Sequence, residues 1–351
     1  MKVQLGKLVN VKTGKLDANA SSINGEYPFF TCSKEPLKIS TYSYDCECVL
    51  VAGNGDLNVK YYNGKFDAYQ RTYIIEDNGC KKIYIPYLYY FMDKYVEKLR
   101  TQSIGGVIKY IKLANITDVE IVLPNFDMQR KIVDKLDKVN AVINKKKRQL
   151  ENLDLLVRSL FIEMFGDPVE NLKKWNISTL STLGSCKNGM NFHIDDFGVE
   201  INCIGVGDFK DYDVISNTHS LPIVSLNSMP TEDYLLKDED IVFVRSNGNK
   251  TMVGRSIVIY PGENLVTFSG FCIRYRNEDS SIMVPYLLRV LKTESIRMQM
   301  YGRGANIQNL NQKILAFLKI PIPPMNLQEK FVQSVSSIDK SKYSSFSHLS
   351  A

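Results

Sequence analysis

The sequence predicts an α+β chain of two homologous α/β modules joined by a long coiled-coil helix, with a shortened helix of the same kind at the C-terminus. Three observations carry this expectation. The two halves repeat each other, each half runs through the same order of strands, turns and a helix, and a heptad stretch free of glycine and proline lies between them. Length agrees, since 351 residues exceed one ordinary domain and suit two that each bury a core.

The repeat is read from matches that keep their order along both halves. Pro86-Tyr87-Leu88 meets Pro285-Tyr286-Leu287 at an offset of 199 residues, and the same offset joins Gly105 to Gly304, Ile108 to Ile307, Ile121 to Ile320 and Pro124 to Pro323. It also joins Gln129 to Gln328, Lys131 to Lys330 and Val133 to Val332. Nearer the start the offset shrinks: Leu5, Leu8, Lys12 and Gly14 pair with Leu180, Leu183, Lys187 and Gly189. Between these, VLVAGNG (49–55) pairs with VFVRSNG (242–248), aligning Asn54-Gly55 with Asn247-Gly248.

Within each copy, apolar runs such as Val49 to Ala52 and Ile241 to Val244 read as strands. The Asn-Gly pairs after them supply the positive φ of a tight turn. A helix begins at each Pro-Tyr-Leu, proline being suited to a first helical turn, and runs to about Arg100 and about Met300. A polar turn with glycine follows, then a strand ending in proline, DVEIVLP (118–124) and FLKIPIP (317–323).

From about Gln129 to Met164 the pattern changes. Apolar residues recur at alternating spacings of four and three: Ile132, Leu136, Val139, Ile143, Leu150, Leu153, Val157, Leu160 and Met164, interrupted only by Lys146. Such a seam predicts a coiled-coil helix on the order of 55 Å long, stopped by Gly166 and Pro168. Its second copy begins near Leu327-Gln328, with Phe331, Val335 and Ile338 as seam equivalents, and decays into SKYSSFSHLSA. The expected organisation is therefore a first module at 1–126, the central helix at 127–166, a second module at 167–325 and the short helix at 326–351.

A net charge of +6 favours a polyanionic partner only weakly. Seven scattered cysteines form no framework and read as reduced thiols. Cys46 and Cys48 make a C-x-C without the second pair or histidine that a zinc site needs. The N-terminus has no apolar signal region, and no run of about 18 apolar residues occurs, so a cytoplasmic protein without membrane contact is expected.

The chemistry on offer is hydrogen bonding and charge. In GRGANIQNLNQK (302–313), Arg303, Asn306 and Gln308 have forked side chains suited to base edges in a major groove. The matching segment GGVIKYIKLAN (105–115) carries Lys109, Tyr110 and Lys112 instead. Arg245, Asn247 and Lys250 follow a strand in the second copy, as Asn54 does in the first, while Lys12, Lys15 and Lys187 sit in the opening segments. Lysine and arginine would grip phosphates while amides and chosen arginines read sequence, and the expected base contacts are Arg303, Asn306, Gln308 and Arg245 in the second copy and Asn54, Lys109 and Lys112 in the first.

No catalytic or metal-binding set is expected. Gly205-Val206-Gly207-Asp208 follows a strand but lacks the third glycine and the distal acid of a dinucleotide fingerprint. Pro323-Pro324-Met325 lacks the flanking residues of an amino-methyltransferase motif. His193, His219 and His348 are scattered, and no phosphate-binding loop is present. A coiled-coil scaffold that assembles partners without touching DNA is the other reading the helix permits, though it leaves the duplicated amide-rich loops without a role.

Together these features resemble the specificity (S) subunit of type I restriction–modification systems. The marks are IVLPNFDMQRKIVDKLDKV and IPIPPMNLQEKFVQSV, each a strand ending in proline and then a glutamine opening a helix. The opening L-x-x-L-x-x-x-K-x-G, the YPFF and NCIGVGDF strands and GRGANIQNLNQK support it. The resemblance implies two target-recognition domains reading a bipartite double-stranded DNA target with an unspecified spacer. It implies two methyltransferase subunits docked along the helices, and two endonuclease subunits in the restricting complex. Cofactors would lie in the partners: S-adenosylmethionine in the methyltransferase, ATP and Mg in the endonuclease. The distal helix is about half the length the family leads one to expect. A truncated or phase-varied chain, a dimer of S chains, or a seam covered by another subunit are the alternatives this leaves open.

Overall fold

The computed structural model describes residues 2–193, 195–209, 213–300 and 309–347, leaving aside the side chains of 340–347. It divides the chain into two compact units, Met1–Lys145 and Lys146–Ala351.

The first unit holds strands β1 (Lys2–Gln4), β2 (Val9–Thr13), β3 (Tyr27–Phe30), β4 (Leu37–Ile39), β5 (Tyr44–Ala52), β6 (Val59–Ala68), β7 (Thr72–Asp77) and β8 (Glu120–Val122). Helices α1 (Ile85–Gln102) and α2 (Ala114–Thr117) accompany them, and helix α3 (Phe126–Phe165) begins here. Six strands form one sheet in the order β2-β7-β5-β6-β3-β4, and β1 pairs with β8 apart from it. Strand alternation divides the core. Val49, Val51 and Ile75 face α1, whose Leu88, Met92, Val96 and Leu99 recur at helical spacing, while Cys48, Leu50 and Ile74 pack with Phe30 and Phe66 on the other face.

In the second unit lie β9 (Asn176–Thr179), β10 (Gly184–Asn188), β11 (Val199–Ile204), β12 (Val214–Ile215), β13 (Ile223–Leu226), β14 (Asp240–Val244), β15 (Ser256–Ile259), β16 (Val266–Phe268), β17 (Cys272–Asn277) and β18 (Lys319–Ile322). Its helices, after the end of α3, are α4 (Leu180–Leu183), α5 (Val284–Lys292), α6 (Glu294–Met300), α7 (Gln312–Ala316) and α8 (Met325–Ser347). Ile241, Phe243, Ile273 and Tyr275 share a core with Leu287, Leu291 and the aromatic rings of α3 and α8. Phe161 and Phe165 lie 5.6 and 5.5 Å from Phe331, and Phe165 lies 4.9 Å from Tyr286.

The duplication extends to single hydrogen bonds. β1 meets β8 with Val3 opposite Ile121, and β9 meets β18 with Ser178 opposite Ile320. Leu5 donates its N–H to Val119 O at 2.7 Å, and Leu180 to Leu318 O at 2.9 Å.

The order of the pairs is kept, but the Asn-Gly alignment is corrected by one residue. Ala52 lies opposite Thr72 as Val244 lies opposite Cys272, so Gly53 occupies the place of Arg245 and Asn54 that of Ser246. The two corners also turn differently. Gly55 takes φ +70°, whereas Gly248 is not left-handed. There the Asn247 side chain turns the backbone instead, its Oδ1 accepting from Asn249 N at 2.7 Å.

Two further departures have local causes. The helix expected from Pro285 to about Met300 is two helices, because Thr293 is extended (ψ 146°) and its hydroxyl donates to Val290 O at 2.7 Å, occupying a helical acceptor. β6 is a single ten-residue strand, whereas its counterpart splits into β15 and β16 around Pro261 and Gly262 (φ +59°). The second unit therefore has a five-stranded sheet, β10-β17-β14-β15-β12, and a separate three-stranded one, β13-β11-β16.

Helix α3 starts three residues before Gln129, where Asn125 Oδ1 accepts from Met128 N at 2.9 Å as a cap. It ends at Gly166 (φ +77°). Of its seam, Val157 is buried, Ile132, Ile143, Leu150, Leu153 and Leu160 are half-buried, and Leu136 and Val139 are exposed. Val133, Phe161 and Phe165, outside the heptad seam, are buried.

A buried glutamine fastens each helix to its module. Gln129, fully buried, accepts from Tyr84 N at 2.8 Å and donates to Lys82 O at 2.8 Å and Pro124 O at 3.0 Å. Gln328 repeats all three, accepting from Met283 N at 2.8 Å and donating to Ser281 O and Pro323 O, each at 2.9 Å. Every partner is displaced by the same 199 residues. Among the described residues no helix is long and apolar enough to cross a membrane.

Candidate nucleic-acid interface

One turn gathers the polar loops of the first unit. In the turn 69–72, Thr72 N donates to Tyr69 O at 2.8 Å. Gly14 N reaches Thr72 O at 3.0 Å, Gln70 N reaches Leu16 O at 2.9 Å, and Gly53 N reaches Arg71 O at 2.7 Å. The opening segment and the β5–β6 corner are thus tied to one end of the sheet. Gly14 is required there: a Cβ on it would stand 2.1 Å from Ala68 O.

The loop after α1 joins the same end. Ile111 N donates to Gly53 O at 2.9 Å and Gly55 N to Lys109 O at 2.9 Å, with Asn54 bridged to Tyr110. Asn54, half-buried, and exposed Lys109 are therefore neighbours, with exposed Lys112 two residues beyond the bridge. Lys15, also exposed, follows Gly14. Lys12 lies further in on β2 and is engaged by Glu76 at 3.2 Å.

The second unit repeats the arrangement. Cys272 N donates to Ser269 O at 2.8 Å, Gly189 N to Cys272 O at 3.0 Å and Gly270 N to Met190 O at 2.6 Å. Arg245 N donates to Phe271 O at 2.8 Å, and Leu310 N to Arg245 O at 2.8 Å. Arg245, at the centre, also donates through Nη1 to Gly270 O at 3.2 Å, which fixes its guanidinium at the strand end. Asn247 and exposed Lys250 lie on the corner that follows. Lys187 sits on β10, 3.2 Å from Asp233 and 4.7 Å from the centre of the Tyr234 ring. Arg303, Asn306 and Gln308 lie outside the described residues.

The shared turn was missed by sequence reasoning. Gln70 and Arg71, both exposed, and Phe271, 62% exposed, stand at its tip. The signal was present in the apolar strands that flank it, but their different residues in the two copies hid the match. The C-x-C lies within β5, and all seven cysteines are free. Burial, and then Glu76, pushes the Cys46 thiol up to about 11, and burial, then Cys46, raises Cys48 well above the ordinary range. Both stay protonated and unreactive at neutral pH.

What this end of each unit offers is a set of backbone-locked loops carrying amides, lysines and one fixed arginine. Such loops suit hydrogen bonding to a polyanion with readable edges.

Comparison with known proteins agrees with that chemistry. A type I restriction enzyme specificity subunit (EcoDI) from Escherichia coli is 40% identical over 156 residues, covering 44% of this chain and 34% of the relative. Another, StySPI from Salmonella potsdam, is 25% identical over 261 residues, covering 70% and 56%. The chain thus spans less than two thirds of either relative. Two solved structures share the fold. One is a type I restriction–modification S subunit from M. genitalium, with TM-score 0.60 and 17% identity over 100% of this chain and 92% of that one. The other comes from a type I R-M system, with TM-score 0.51 and 16% identity over 98% and 91%. The family model described as the type I restriction modification DNA specificity domain matches residues 1–152 and 173–345, and the chain belongs to that family.

Proposed function

We propose that this chain is the sequence-reading subunit of a type I restriction–modification complex. Its two modules read the two halves of a bipartite duplex target, and the chain itself performs no catalysis. The observation that carries the reading is the repeated turn: in both units it bonds the opening segment and the strand corner at one end of the sheet, and the corner in turn bonds Ile111 in the first unit and Leu310 in the second. Recognition needs displayed side chains on a scaffold that does not yield, and this arrangement supplies it twice.

In this reading Lys15, Lys187 and Lys250, with Lys12, grip phosphates, and Lys109 and Lys112 reach base edges of the first half-site. Asn54 and Asn247, with Arg245, Arg303, Asn306 and Gln308, read base edges. The modules correspond to residues 1–126 and 167–325, and the helices to 127–166 and 326–351. The uncovered seam at Leu136 and Val139, with half-buried Ile132, Ile143, Leu150 and Leu153, serves docking of two methyltransferase subunits, while Val157 and Leu160, further along the same line, are the helix's own packing in the second unit. Two endonuclease subunits join in restriction, and pairing with a second copy of this chain is a further mode of assembly. S-adenosylmethionine then belongs to the methyltransferase, ATP and Mg to the endonuclease, and the setting is the cytoplasm.

The test is a fluorescence-anisotropy titration of the full chain with mixed duplexes at rising salt. A phosphate-gripping reader loses affinity steeply, with a log–log slope of about −0.9 per phosphate neutralised. Absence of salt-dependent binding refutes the proposal.

A further inference from the structure

The loop 104–110 displays apolar side chains where a DNA reader would be expected to display polar ones. Val107 is fully exposed (104%) and Ile108 is 63% exposed, with Ile104, Tyr110 and Leu113 each at least 40% exposed beside them. Scattered exposed aliphatics are ordinary, but five within ten residues form a patch.

This loop is held, not loose. Ile104 N donates to Tyr110 O at 3.0 Å and Tyr110 N to Ile104 O at 2.9 Å, closing a narrow ladder beneath the tip. Gly105 turns the chain at φ +117°, where a Cβ would stand 2.7 Å from Ile108 O. The Gly55 N–H to Lys109 O bond then locks the loop to the strand corner. Two β-branched side chains are thereby presented in a fixed place between glycines and Lys109, with Lys112 close behind.

The repeat gives that place a counterpart in the second module. Tyr110 bridges Asn54 as Asn309 bridges Ser246, so the loops after the two helices join their modules at the same point. By the 199-residue offset the tip residue Val107 corresponds to Asn306, and Lys109 to Gln308. In sequence, then, Val107 stands where the second copy has an asparagine, while Ile108 has an isoleucine, Ile307, as its counterpart.

We propose that Val107 and Ile108 form an apolar reading tip that packs against thymine C5-methyl groups in the major groove of the half-site read by the first module. The proposal rests on the DNA-reading function above. Valine and isoleucine offer no hydrogen bond, and the apolar feature that base edges present in the major groove is that methyl. The lysine beside the tip favours a phosphate-lined groove over an uncharged protein surface.

The experiment takes the duplex that the wild-type full chain selects from a randomised pool. Binding is compared on that duplex and on one with uracil in place of thymine in the first half-site, for wild type and for Val107→Ser/Ile108→Ser. Uracil lacks only the methyl. Wild type is expected to lose about four-fold for each methyl contacted, the effect of burying roughly one methylene. The double variant loses a similar factor on the thymine duplex and nothing further on uracil, with an unchanged thermal midpoint because both side chains are exposed. Wild-type affinity of the variant on thymine, a full uracil penalty in the variant, or a selected half-site without A·T pairs each overturns the proposal while leaving DNA reading intact. Failure of wild type to bind any duplex overturns both.

Discussion

Replacing Gln328 by leucine removes three hydrogen bonds while nearly preserving volume, so it isolates what the buried amide contributes. The Met283 N–H, just ahead of helix α5, loses its acceptor, and Pro323 O and Ser281 O lose their donor. The Pro323 bond is buried and those to Met283 and Ser281 are partly so. A buried polar group left unpaired costs about 1–3 kcal/mol, and water can reach Ser281 O at little cost, so two groups carry the penalty. The net is about 3 kcal/mol after allowing for leucine's apolar gain. For a module of this size each kcal/mol shifts the midpoint by about 2–4 °C, giving a drop of roughly 6–12 °C. The assay is differential scanning calorimetry together with amide hydrogen exchange. Exchange should quicken at the start of α5 and in the first turns of α8, and stay unchanged in the first unit. Gln129→Leu should act in mirror fashion on Tyr84 and α1. A midpoint within 2 °C of wild type, or exchange that quickens equally in both units, would refute the reasoning.

Lys15→Ala should weaken duplex binding for all sequences alike and lower the magnitude of the salt slope by about one, read from anisotropy at several salt concentrations. An unchanged slope removes that lysine from the phosphate contacts. Four alanines inserted after Lys147 lengthen α3 by about 6 Å, and methylome sequencing should report a spacer longer by roughly one or two base pairs. An unaltered spacer would show that the helix does not set it. Burial alone would raise the Asp213 carboxyl, but Lys292 and Arg289 outweigh it and hold it down to about 2. Its stabilisation is therefore complete above about pH 4 and is lost as pH falls toward 2. Asp213→Asn should cost about 2 kcal/mol at neutral pH and flatten the acid limb of a denaturation profile; a limb as steep as wild type rejects the linkage.

Much of this molecule was readable from its residues because periodicity and repetition both leave marks. The offset of 199 residues located α1, β8 and α3 together with their counterparts, and the four-three spacing found a helix running from 126 to 165. Backbone accounting was harder to read. The corner after β5 was misaligned by one residue because Asn-Gly recurs by side chain, whereas the ladder counts peptides. Thr293 breaks a helix through its hydroxyl, which no apolar pattern registers. Gln129 and Gln328 were visible as a matched pair, yet their pinning role depends on Tyr84 and Met283, both 45 residues earlier. At the interface, Lys109 and Asn54 were each chosen from the sequence, but only folding makes them neighbours. The turn 69–72 that brings them there has no residue in common with 269–272.

The Pro261–Gly262 interruption has a consequence for how this molecule tolerates change. In the first unit, an insertion in the outer strands would propagate through continuous β6 into the register of β5. In the second, β11, β13 and β16 form a separate raft joined to the inner sheet through an irregular stretch of chain. Val266 and Phe268 of β16 stay buried against Val242, Val244 and Ile257 of the inner sheet, and the turn 269–272 leads from β16 straight into β17, so the freedom of this half to diversify lies at the far edge of the raft, on β13.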